Sequence, residues 1–187
     1  MSKYLRLCLV VPLLLLTAAC STQGTSSPGM GDPELEAQAR AALQQLLDTA
    51  PRAKDLHDRA KAVLVFPNIL RAGLGVGAQG GRGVLFGSDG KVLGYFRNTG
   101  VSWGLQAGAQ TLSEALFLMT DAAARQPFDS SGWAVGVGPT VVVVDAGAAR
   151  SMNTTTLQAD VYAFIFGQQG LMAGLGVQGQ RITRLNP

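Results

Sequence analysis

The chain has 187 residues, 47% of them hydrophobic, with 15 basic and 12 acidic side chains and a formal net charge of +3. That length holds one compact core, and basic residues scattered along the chain rather than clustered argue against nucleic acid as a partner. A single histidine, two cysteines and acids without EF-hand spacing offer no usual zinc or calcium site, and no cofactor is expected.

The amino terminus reads as a lipoprotein signal. Lys3 and Arg6 form a short positive region, and Leu7 to Leu16, interrupted only by Pro12, make an apolar stretch of secretory type. It is far shorter than the about 20 residues needed to span a bilayer as a helix. Thr17-Ala18-Ala19-Cys20 looks like a lipobox, with Thr17 where a leucine is usual. Cys8 departs with the signal, so Cys20 has no disulfide partner in the mature chain, and acylation explains that lone thiol better than an idle cysteine does. Ser21 stands where an aspartate would favour retention in the inner membrane, so the outer membrane is expected. Removing Lys3 and Arg6 leaves 13 basic against 12 acidic residues, a net charge of +1.

Residues 1–19 are thus expected to be signal peptide, 20–31 a flexible tether rich in Gly and Ser, and 32–187 the domain. Asp32 as N-cap and Pro33 at the first helical position open a helix. Its stripe of Leu35, Ala39, Ala42, Leu43, Leu46, Leu47 and Ala50 predicts packing on the domain, since the polar face is not the basic one that an anionic membrane prefers. Pro51 begins a second helix to about Lys61, and Ala62 to Pro67 reads as a buried strand ended by proline.

Beyond this point glycine or alanine alternates with leucine, valine or methionine in residues 72–86, 104–110, 132–138 and 170–179. Period two predicts strands, and a bare glycine face admits a close neighbour or a tight bend. Residues 72–81 and 173–180 resemble each other and predict two equivalent strands. Thr111-Leu112-Ser113-Glu114 matches a capping box, predicting a helix that turns Leu112, Ala115, Leu116, Met119 and Ala123 to the core and ends near Pro127. Val141 to Val144 reads as a fully buried strand and Asp160 to Phe166 as another, with a polar loop at Asn153 to Thr156. The fold class is α+β: a strongly curved antiparallel glycine-rich β-sheet, barrel or sandwich, with two or three packed helices.

Two strings imitate chemical motifs. Gly75 to Gly80 and Gly174 to Gly179 fit GxGxxG, but they sit inside predicted strands without the helix that a dinucleotide fingerprint opens. Gly100-Val101-Ser102-Trp103-Gly104 fits the GxSxG nucleophile elbow. Its only possible base, His57, lies upstream of the serine in a helix, against the order of that fold, so no enzyme chemistry is expected.

Several ordered blocks carry a resemblance. Ala60 to Gly83, Gly104 to Gln110, Gly136 to Pro139 and Gly170 to Gly179 resemble the SYLF (Ysc84-like) domain family over roughly residues 40 to 187. Tyr95-Phe96-Arg97, Ala115 to Asp121 and Asp160 to Gly170 are similar to its bacterial lipoprotein branch. In eukaryotes the family is associated with phosphoinositide-containing membranes and, in some members, with actin. The resemblance therefore implies lipid binding. Actin is not expected to transfer, because the basic amphipathic amino terminus on which those contacts lean is here a signal, a neutral tether and an acid-bearing helix.

The resulting expectation is a non-catalytic phospholipid-binding lipoprotein whose anchor raises the lipid concentration the domain samples. Arg71, Arg82, Lys91, Arg97 and Arg181 flank or interrupt the glycine strands and are the candidate head-group ligands, since guanidinium holds phosphate through paired hydrogen bonds. The alternative is an interaction lipoprotein that binds an envelope protein or peptidoglycan through a sheet edge or through Tyr95, Phe96, Trp103 and Trp133, without head-group recognition.

Overall fold

Asp32 and Pro33 open the first helix as their chemistry dictates. Helix α1 spans Pro33–Thr49, and the Asp32 carboxylate accepts from the Leu35 backbone N–H at 3.0 Å. A computed structural model describes residues 31–145 and 159–185, and Gly31–Pro187 forms a compact unit. After α1 come α2 (Pro51–His57), β1 (Ala62–Gly87), β2 (Val92–Leu118), α3 (Asp121–Arg125), a 3-10 turn (Gln126–Phe128), β3 (Trp133–Ala134), β4 (Val141–Asp145) and β5 (Val161–Leu185). The sheet order is β1-β2-β5-β3, all antiparallel, with β4 added parallel to β5. The α+β class and strongly curled sheet match the expectation; the shape is a half-barrel.

A straight strand as long as β1 would reach about 85 Å, yet β1 doubles back on itself. A Cβ on Gly83 would lie 2.5 Å from the Val65 carbonyl oxygen, one on Gly81 2.7 Å from that of Asn68, and one on Gly73 2.6 Å from the Gly77 Cα. Only glycine permits this approach of backbone to backbone, and the crease is made at Gly75, whose φ is +70°. The pairing with β2 shifts register at the same place, between Leu74 and Val76. The two limbs of each creased strand then form the two walls of the half-barrel.

Its inner face carries Leu64, Phe66, Ile69, Leu85, Phe96, Leu116, Trp133 and Ile182. The outer face presents Val63, Val65, Val84, Phe86, Phe117 and Phe164, covered by Leu35, Ala39, Ala42 and Leu46 of α1 and by Ala53 and Leu56 of α2. Phe117 and Phe164 meet edge to face at 5.4 Å. Each such large side chain contributes roughly 1.5–3 kcal/mol on full burial. Helix α1 therefore packs on its own domain, pinned at its start by Arg82, which pairs with Asp32 at 2.9 Å, and by Tyr95, which donates to Glu36 at 2.5 Å.

Several local expectations are corrected. No helix begins at Thr111: residues up to Leu118 stay in β2, and α3 starts at Asp121, where Thr120 Oγ1 accepts from Ala123 N at 3.2 Å. The misreading arose because both faces of this limb are buried, Leu112 and Leu116 inward and Ala115 and Phe117 outward, which erases the alternation that marks a strand. Pro67 does not end β1, which continues past it through an irregularity between Phe66 and Ile69; β1 is an edge strand, where a missing N–H is tolerated. Of Val141 to Val144 only Val144 is buried, and Val143 is exposed; among the described residues β4 pairs with β5 alone. Helix α2 ends at His57, residues 132–138 yield only the two-residue β3, and the strand predicted at 160–166 continues unbroken to Leu185. The Asn153 to Thr156 loop lies outside the described residues.

Candidate functional site

Creasing the strands brings polar side chains of opposite walls together on the inner face. Glu114 is buried there, and its Oε2 accepts from Asn98 Nδ2 at 2.8 Å and from Gln180 Nε2 at 2.7 Å. Arg71 donates from Nε and Nη2 to Gln79 Oε1 at 3.0 and 2.7 Å, and Gln178 Nε2 donates to the same oxygen at 3.0 Å. Burial drives the Glu114 carboxyl up from its ordinary 4.5 to about 7; the donors Gln180 and Asn98 and the charge of Arg71 oppose this without reversing it. Burial also lowers the Arg71 guanidinium from its usual value, with Glu114 opposing, and arginine stays cationic throughout. A cavity of about 340 Å³ opens beside this cluster, with Leu112, Val135, Val141, Val143, Ala163 and Ile165 along its apolar side.

At the crease the outer face has no cover. Leu105 is 89% exposed, Leu171 88%, Leu74 83% and Trp103 65%, with Val76 and Val101 also exposed. The ladder unites them on three adjacent strands: Val76 lies opposite Trp103, and Leu171 is opposite Ala109. The result is an apolar tip, unusual for a sheet face in water.

Four residues along β2 from Val101, on the same outer face, stands Arg97. Arg82 is directly opposite it on β1, and Arg181 is opposite Thr99 on β5. Like charges directly opposed on a sheet destabilise it, and Arg97 has no hydrogen-bond or ion-pair partner among the described residues, whereas Arg82 holds Asp32 and Arg181 donates to the Ser131 carbonyl at 2.7 Å. A depression lined by Thr99, Gly100, Val101, Gly179 and Arg181 separates this row from the tip. Three of the five candidate cations are thus gathered below the tip. Arg71 stands apart inside the half-barrel, and Lys91 lies at the β1–β2 turn, paired with Asp89 at 2.7 Å.

Of the aromatic candidates only Trp103 is exposed: Phe96 and Trp133 are buried, and Tyr95 is engaged with α1. Ser102 Oγ accepts from Gln106 Nε2 at 2.7 Å near the crease, while His57 stands edge-on to Phe117 at the other end of β2, so the two form no nucleophile–base pair. Both GxGxxG strings lie within strands and open no helix. Among the described residues no three His, Cys, Asp or Glu side chains are grouped as metal ligands, and no helix is long and apolar enough to cross a membrane.

Sequence reasoning missed the interior cluster and the exposure of the tip. Glu114 falls within the supposed capping box, but Gln178 and Gln180 interrupt one glycine strand two residues apart, and Gln79 interrupts another; polar residues recurring on the concave face were the available signal.

A family model described as Ysc84, Las17-binding protein actin regulator, matches residues 99–186. That span takes in the tip residues of β2, Glu114, β3, β4 and β5, and leaves out α1, α2 and β1. No curated protein matches the chain.

Proposed function

We propose, on the match of residues 99–186 to the Ysc84 family model, that the protein is a non-catalytic phospholipid-binding lipoprotein of the bacterial cell envelope. In this reading Cys20 carries the lipid anchor, in the outer membrane, and the domain meets the same membrane through its crease. One observation carries the proposal: Leu74, Trp103, Leu105 and Leu171 stand exposed together, with Arg181, Arg97 and Arg82 following on the same face. Apolar tip, indole and guanidinium row in sequence match the order of hydrocarbon, interface and phosphate met on entering a leaflet. Residues 21–31 extend at most about 40 Å, and this length keeps the domain at the surface, so weak intrinsic affinity suffices.

The test is co-sedimentation of residues 32–187 with phosphatidylglycerol and phosphatidylcholine vesicles at low and moderate salt, read together with Trp103 emission. Binding that favours the anionic vesicles, weakens with salt and shifts the emission to the blue is the expected result. Absence of binding to either composition overturns the proposal and favours the envelope-interaction reading, with Cys20 as the sole membrane contact. Actin is not among the proposed partners.

A further inference from the structure

We propose that the cavity between β4 and the inner wall of the half-barrel binds a single-chain fatty acid, its carboxylate on Arg71 and its chain along Val141, Val143 and Ile165. This site is separate from the apolar tip, and the inference does not rest on vesicle binding.

Three features support it. The lining is divided by chemistry, with Arg71, Gln79, Glu114, Gln178 and Gln180 at the polar end and aliphatic side chains along the rest; pockets of this kind take ligands with one oriented polar group and an apolar body. The volume of about 340 Å³ lies at the small end of the range for such sites, roughly 300–1,000 Å³, which suits one short acyl chain and is too small for a two-chain phospholipid. Arg71 is half-buried and makes no ion pair among the described residues. Its Nε and Nη2 each donate to Gln79 Oε1. The remaining guanidinium N–H groups are the strongest available donors for a carboxylate.

Among the described residues Glu114 is the only other charged side chain lining the cavity; β4 and β5 contribute valines, Ala163, Ile165 and amides. A second anion enters most readily when Glu114 is neutral. With that carboxyl titrating at about 7, linkage predicts about tenfold tighter binding at pH 6 than at pH 8.

The experiment uses dodecanoate below its micellar concentration with residues 32–187, which carry both described core clusters, measured by calorimetry and by NMR of the methyl groups. Saturation at one per chain is expected, with intermolecular contacts from the acyl protons to Val141, Val143 and Ile165. Arg71→Gln weakens binding about tenfold or more, and Ala163→Phe or the milder edge-strand change Val143→Phe blocks it. Glu114→Gln removes the pH dependence while preserving binding, and Leu105→Ser has no effect. The proposal is overturned by uptake without saturation, by loss of binding with Leu105→Ser while Val143→Phe binds normally, or by cavity methyls in contact with residues 146–158 of the chain instead of the ligand.

Discussion

Replacing Glu114 with glutamine should convert a pH-dependent stability into a flat one. The carboxyl is buried on the inner face, and its pKa rises from 4.5 to about 7 in the folded protein. Between those values the folded state holds a proton that the unfolded state has released, so folding stability falls as pH rises. The contribution is fully present below about 4.5, declines through the interval and is gone above about 7. The rise from 4.5 to about 7 corresponds to roughly 3 kcal/mol in all, most of which is lost between pH 5 and pH 8. Glutamine keeps the shape and an acceptor for Asn98 or Gln180 and cannot ionise. Urea unfolding of residues 32–187, wild type and Glu114→Gln, at half-unit steps over that range measures the difference directly. The two curves should converge near pH 5 and separate towards pH 8, with the variant the more stable. Parallel curves, or a wild type that gains on the variant as pH rises, would refute the idea that desolvation governs this carboxyl.

Gly83→Ala forces a Cβ against the Val65 carbonyl oxygen at 2.5 Å and should cost about 3 kcal/mol, visible as a lowered urea midpoint with an unchanged slope. Asp32→Ala removes the cap of α1 and the partner of Arg82; about 1 kcal/mol of stability should go, together with protection of the first-turn amides from hydrogen exchange. Leu105→Ser with Leu171→Ser should leave stability within about 0.5 kcal/mol while reducing vesicle binding, because both side chains face solvent in the free protein. Glutamine at Arg82, Arg97 and Arg181 together should remove the preference for anionic vesicles and its salt dependence; an undiminished preference would detach the arginine row from head-group binding.

The sequence carried the class of the fold because glycine alternation has one structural meaning over so many residues, and the cap and stripe of α1 were legible for the same reason. Length and crease were not. Nothing in residues 170–179 distinguishes a strand of its own from the middle of β5, since a creased strand and a hairpin use the same glycines. The limb from Thr111 to Leu118 was misread because burial on both faces removes the period. The arginine row was half legible: basic residues beside glycine strands could be named, but only the register reveals that Arg82 opposes Arg97 and that Arg71 faces inward towards Gln79. Exposure at the tip depends on what fails to cover it, which no local pattern encodes.

Because β1 is an outermost strand creased upon itself, its unpaired edge does not run as a long straight border. Val63, Val65, Val84 and Phe86, from its two limbs, belong to the cluster that the apolar stripe of α1 covers. Opened flat, the same strand would offer a long glycine-rich edge to any neighbouring chain, the geometry from which edge-to-edge fibres grow. By packing on the outer face of both limbs the first helix holds them in the creased arrangement, and trimming the protein past Thr49 removes a guard against self-association as well as packing area.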